Sequence, residues 1–96
     1  MGAETLHKLQ RKMTATVIDI KGHCNAGHKI GDKFRVSCRY SDGLCGYFYH
    51  DIFPALSVIQ HGGRYPWWDE GQTVFEYQCP DKKNVLTLRV EAVGKL

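Results

Sequence analysis

The middle of the chain contains one segment with the periodicity of an amphipathic α-helix. Apolar residues recur there at spacings of three or four: Leu44, Phe48, Ile52, Ala55, Leu56 and Ile59. Residues 41–43 have the composition of a helix start, and Gly62-Gly63 that of a helix stop. Pro54 lies inside the stripe and has no N–H to donate, so we expect a kink there or two short helices in series.

The segments on both sides of this helix alternate at every second residue, as β-strands do. Two of them precede the helix, at residues 13–20 and 33–40, and two follow it, at residues 73–79 and 86–92. A short turn joins the last two, which predicts an antiparallel hairpin. The order β-β-α-β-β predicts an α+β fold, a single small domain with an antiparallel sheet and a kinked helical segment packed on it.

A chain of 96 residues suits one domain. We expect residues 13–96 to form it, and residues 1–12 to be an N-terminal appendage, either a short amphipathic helix or a tail. No apolar run approaches the roughly 20 residues that cross a bilayer, and the first residues lack the order of a secretory signal. A cytoplasmic location without a membrane partner is therefore predicted.

Charge is unevenly distributed along the chain. Residues 1–40 carry eight Lys and Arg residues against three acidic ones, whereas the remainder is slightly acidic. A basic half can face nucleic acid or an acidic partner. The excess is small and no nucleic-acid motif is recognisable, so we interpret it as a solvated surface and do not expect nucleic acid as a partner.

The four cysteines differ in their predicted positions. Cys38 shares a predicted strand face with Phe34 and Val36, which favours a small core residue. Cys24, Cys45 and Cys79 instead lie where predicted elements begin or end, and such ends can converge at one edge of a small sheet. The three thiols are the most informative feature of the chain.

His28 follows Cys24 by four residues and completes a set of four donors with Cys45 and Cys79. Thiolates with an imidazole are ligands that zinc prefers, and thiolates also hold iron–sulfur clusters. The leading prediction is a small metal-binding accessory or redox domain. Alternatives are four reduced thiols without a metal, or a small thiol enzyme with Cys45 as nucleophile and His28 or His23 as base. The sequence contains no substrate motif, which favours a non-enzymatic role.

A loop with paired indoles, Trp67 and Trp68, follows the predicted helix. We expect one ring to cover the end of the core and the other to contact a partner. That partner is another protein or a second copy of the chain, because Asp69-Glu70 beside the rings disfavours a phosphate backbone.

Four ordered motifs resemble a family of small uncharacterised prokaryotic proteins, many of them from anaerobes. They are GHCNAGHKIGDKF at residues 22–34, GLC at 43–45, GGRYPW at 62–67 and CPD at 79–81. The resemblance covers residues 13–93, with Asn25 where the family often has proline. It implies that Cys24, His28, Cys45 and Cys79 belong to the motif and Cys38 does not. It implies no activity, and the frequency in anaerobes favours iron–sulfur or low-potential thiol chemistry.

Overall fold

The structure, a computed structural model, describes residues 10–94. This part of the chain contains β1 (Lys12–Lys21), β2 (Lys33–Phe34), α1 (Gly46–Gln60), β3 (Val74–Gln78) and β4 (Val85–Val93). The predicted β-β-α-β-β order and α+β class are confirmed. The N-terminal helix or tail predicted over residues 1–12 falls mostly outside the described residues, and Lys12 already belongs to β1.

The four strands form one antiparallel sheet in the order β2-β1-β4-β3. Its centre is the long pair of β1 and β4, which runs from Lys12 opposite Val93 to Lys21 opposite Val85. The register shifts between Val17 and Asp19, so β1 carries a bulge there. The predicted hairpin of the last two strands is present, with Gln78 opposite Thr87.

Helix α1 packs its apolar stripe on one face of this sheet. Phe48, Ile52, Leu56 and Ile59 are buried at helical spacing. They share one core cluster with alternate residues of the central strands, namely Met13, Ala15, Val17, Leu86, Leu88, Val90 and Ala92. The stripe was therefore predicted correctly as the core-facing side of the helix.

Pro54 does not divide the helix, and the alternative of two short helices in series is wrong. One helix runs from Gly46 to Gln60 with Pro54 inside it. Proline leaves the carbonyl of the residue four positions earlier without a donor. That residue is His50, which is exposed along with Pro54, so water can serve the carbonyl. Among the described residues no helix has the length and apolar character needed to cross a membrane.

The second strand is much shorter than the alternation of residues 33–40 predicts. It ends at Phe34, because the next N–H, that of Arg35, donates to the Asp42 carboxylate at 2.7 Å. Residues 37–40 form a tight turn closed by a 3.0 Å bond from Ser37 N to the Tyr40 carbonyl. Cys38 lies half-buried in this turn, so its predicted position on a strand face is wrong.

Candidate functional site

The loop between β1 and β2, residues 22–32, contacts the turn that follows Cys79. The backbone N–H of His23 donates to Asn84 Oδ1 at 2.9 Å. Gly22 lies so close to this turn that a Cβ atom there would stand 2.6 Å from Asn84 Oδ1. The Cys24 loop and the Cys79 turn are thus in direct contact beyond the paired ends of β1 and β4.

The turn at residues 80–84 is organised by one carboxylate. Asp81 Oδ1 accepts the N–H groups of Lys83 at 2.9 Å and Asn84 at 3.2 Å. These bonds, led by the one from Lys83, hold the pKa of Asp81 below its ordinary value. Cys79 is fixed at the base of the turn because its N–H donates to the Leu86 carbonyl at 2.8 Å.

The same loop also contacts the start of the helix. His28 Nε2 accepts a hydrogen bond from the backbone N–H of Cys45 at 3.0 Å. The His28 ring packs edge-on against Phe34 with 4.8 Å between ring centroids. Cys45 is the residue immediately before the first helical residue, and its side chain makes no capping hydrogen bond to the helix. His28 and Cys45 are therefore brought together, through a ring nitrogen and a backbone amide.

Three of the four cysteines pack against the same core. Cys24, Cys45 and Cys79 are half-buried neighbours of the core cluster, and all four cysteines are free thiols. Within residues 10–94, no three His, Cys, Asp or Glu side chains are grouped closely enough to hold a metal ion. The loops that carry the predicted ligands are in contact, but their side chains do not form a ready coordination shell.

Cys38 has different surroundings from the other three. Its N–H donates to Gln60 Oε1 at 2.9 Å. Burial raises the pKa of its thiol, against the lowering effects of the Ser57 hydrogen bond and the Arg39 charge. Cys38 thus belongs to the contact between the 37–40 turn and the end of α1, away from the loop of Cys24.

The two tryptophans have opposite environments. Trp68 is half-buried and packs on Phe75 with 4.6 Å between ring centroids, so it covers the end of the core. Trp67 is 74 % exposed and stacks on Tyr65 at 4.7 Å with an interplanar angle of 9°. Trp67 is the ring available to a partner, and binding of a partner by this loop stays a prediction.

Tyr77 on β3 should make the fold sensitive to alkaline pH. Burial, with the nearby Tyr65, raises the pKa of Tyr77 to about 12. The folded state thus favours the neutral phenol, and this contribution to stability is complete below pH about 10 and lost as pH rises towards about 12. We expect Tyr77→Phe to flatten the alkaline fall in unfolding free energy, followed by denaturant titration. Tyr47→Phe, on the exposed helix surface, is the control, and an equally steep fall in both variants would contradict the prediction.

A basic groove is the site feature that the sequence pattern did not single out. It lies at the other end of β1, where Arg11, Lys12, Arg35 and Arg39 line a groove of about 510 Å³. The available signal was the excess of Lys and Arg in residues 1–40, interpreted above as a solvated surface. Local patterns cannot reveal that these cations line one groove, because the two pairs are more than twenty residues apart in the chain.

Comparisons of the chain with models of protein families, with curated proteins and with solved structures find no match. The resemblance based on the four motifs therefore stays a prediction.

Proposed function

We propose that the protein is a small zinc-binding domain in which Cys24, Cys45 and Cys79 are ligands and His28 is the fourth. The observation that carries the proposal is the position of the 22–32 loop. It contacts the turn after Cys79 through His23 and Asn84, and the start of α1 through His28 and Cys45. The loop that carries Cys24 thus contacts both the turn after Cys79 and the residue Cys45 at the helix start.

The donor set favours zinc over an iron–sulfur cluster. Three thiolates and one imidazole are a common tetrahedral shell for structural zinc, whereas clusters are usually held by four cysteines. The fourth cysteine, Cys38, lies in the 37–40 turn, where its backbone N–H donates to Gln60 Oε1 at the far end of the helix. A shell closed by four protein ligands leaves no position for substrate, which agrees with an accessory role.

The hydrogen bond from Cys45 to His28 is a small obstacle to this shell. Binding through Nε2 requires that nitrogen to leave the Cys45 amide, at a cost of about 1 kcal/mol for a typical hydrogen bond. Structural zinc contributes about 10–16 kcal/mol of binding free energy. The ion can therefore draw the thiolates and the imidazole together. The sheet stays paired, because Gly31 and Asp32 at the end of the loop bond to Val17.

A thiol enzyme centred on Cys45 is less well supported. A general base must face the proton that it removes. The lone pair of His28 Nε2 faces the backbone amide of Cys45 instead of its thiol. The basic groove near the start of β1 is not lined by Cys24, Cys45 or Cys79, so it offers no substrate space beside these thiols.

Metal analysis of protein purified without oxygen tests the proposal. We expect one zinc ion per chain and a higher melting temperature than after chelation. Cys24→Ser, Cys45→Ser and Cys79→Ser should each weaken zinc binding by about 100-fold or more, since changes outside the ligand shell already cost about 10–100-fold. Cys38→Ser is the matched control and should bind zinc like the wild-type chain.

Two results would overturn the zinc site. Folded protein that takes up no zinc, with three thiols that remain reactive when zinc is added, would leave only reduced cysteines. Broad absorbance at about 400 nm after anaerobic reconstitution with iron and sulfide, lost in the same three variants, would assign an iron–sulfur cluster to these residues instead.

A further inference from the structure

The groove at the amino end of β1 combines charge, size and an exposed ring. Its walls come from the start of β1, the segment after β2, the end of α1 and the end of β4, and its volume is about 510 Å³. Ligand sites in proteins commonly have about 300–1,000 Å³. It lies at the opposite end of β1 from the Cys24 loop, so it is separate from the proposed zinc site.

Four cations line this groove, and within residues 10–94 the other lining residues are neutral. Arg11 and Lys12 come from one wall, and Arg35 and Arg39 from the other. Asp42, which follows the second wall in the chain, accepts the backbone N–H of Arg35 at 2.7 Å and is not among the lining residues. Several cations along a concave surface raise the local concentration of anions, and the arginine fork matches phosphate oxygens.

Backbone contacts fix the two walls relative to each other. Arg11 N donates to the Gln60 carbonyl at 2.9 Å, which docks the first wall on the helix end. The Gln60 side chain, only 4 % exposed, accepts the Cys38 N–H and donates to Gln10 Oε1 at 3.1 Å. It therefore links the turn that carries Arg39 to the segment that carries Arg11. The segments that carry Arg11 and Arg39 are therefore both hydrogen-bonded to Gln60.

The rim of the groove also has an aromatic and apolar part. Tyr40 is 57 % exposed and Val93 is 61 % exposed, and both line the groove. An exposed tyrosine ring stacks on planar bases, and the contact is worth about 1–3 kcal/mol per base. A bare phosphate or sulfate would contact the arginines but not the exposed surface of Tyr40 and Val93.

We propose that the groove binds a nucleotide, with the phosphates between Arg35 and Arg39 on one side and Arg11 on the other, and with the base against Tyr40. The size of the groove fits one nucleotide unit. The same chemistry occurs in a free nucleotide and in a single strand of nucleic acid, and the test distinguishes these sources.

Calorimetry with the full chain at low and at physiological salt tests the proposal, with ATP, inorganic triphosphate and a short oligothymidylate as probes. We expect ATP to bind more tightly than triphosphate. The double variant Arg35→Gln/Arg39→Gln should weaken ATP binding by at least about 10-fold, because charged hydrogen bonds to the phosphates are lost. Tyr40→Ala should weaken ATP by about 10-fold and leave triphosphate unchanged. Tighter binding of the oligothymidylate than of ATP would identify a nucleic-acid strand as the source.

Matched controls separate the groove from net charge and from exposed rings in general. Lys83→Gln/Arg89→Gln removes the same charge outside the groove, and Tyr47→Ala removes an equally exposed ring on α1. The proposal fails if ATP does not bind at low salt, if the two charge variants weaken ATP equally, or if Tyr40→Ala has no effect on ATP.

Discussion

Leu56→Ala is expected to lower the free energy of unfolding by about 2–5 kcal/mol, the range for a leucine truncated in a closed core. Leu56 is fully buried in the middle of α1, between Ile52 and Ile59, and belongs to the cluster that joins helix and sheet. A domain of this size has roughly 5–15 kcal/mol of stability in total, so the loss is a large share.

The effect should reach both ends of the helix. Cys45 precedes α1 and Gln60 ends it, so the Cys45–His28 contact and the Gln60 links depend on the same packing. Urea unfolding followed by circular dichroism measures the change. Phe53→Ala on the outer side of α1, where Phe53 is 37 % exposed, is the control. A loss below about 1 kcal/mol for Leu56→Ala would contradict the packing described here.

The helix shows why periodicity predicts a core face better than an element boundary. Phe48, Ile52, Leu56 and Ile59 are buried as their spacing indicates, because helical periodicity directly reports which side meets the sheet. The start was expected near residues 41–43, yet α1 begins at Gly46. The Asp42 carboxylate, a natural helix cap, accepts the N–H of Arg35 instead.

The length of the second strand was predicted wrongly for a related reason. Phe34 and Val36 are buried as the alternation indicates, but burial does not require a paired backbone. The N–H of Arg35 goes to Asp42 and that of Cys38 to Gln60 Oε1, twenty-two positions further along the chain. Alternation of apolar residues does not indicate which acceptor a backbone N–H finds, so it could not show that the strand has only two residues.

For the cysteines, only their positions relative to the helix and strands were predictable. Cys24, Cys45 and Cys79 lie just outside helix and strand ends, as alternation and glycine positions indicate, and a metal site formed by them stays a prediction. The role of His28 as acceptor for the Cys45 amide could not be predicted, since it depends on how a loop of eleven residues folds back on the helix start. The basic groove was missed because net charge carries no information on where side chains meet.

Gly22→Ala should be the most damaging single change in the cysteine-bearing loop, with a loss of about 2–5 kcal/mol in unfolding free energy. Gly22 has φ +89°, a left-handed conformation that costs a residue with a Cβ about 1–2 kcal/mol. The new Cβ would also stand 2.6 Å from Asn84 Oδ1 and 2.9 Å from the Lys83 carbonyl. The backbone carbonyl cannot rotate away as a flexible side chain can, so the loop and the turn must separate.

Gly27→Ala is the control that isolates the steric part. Gly27 lies in the same loop with φ +80°, and an added Cβ there meets nothing within 4 Å. Gly27→Ala should therefore lower the unfolding free energy only by the cost of placing alanine in a left-handed conformation, about 1–2 kcal/mol. The difference between the two variants, measured by denaturant unfolding, is the cost of forcing the His23–Asn84 contact apart. Equal losses would show that the 22–32 loop does not press against the Cys79 turn.

Adding Asn84→Ala to Gly22→Ala separates the two atoms that the new Cβ meets. The second change removes the side-chain oxygen at 2.6 Å but leaves the Lys83 carbonyl at 2.9 Å, so only part of the stability should return. It also removes the acceptor of the His23 N–H, so the junction between the loop and the turn stays broken even where stability recovers. If the protein binds zinc as proposed, the double variant should bind zinc more weakly than the wild-type chain despite the regained stability. The reason is that the Cys24 loop no longer contacts the turn after Cys79.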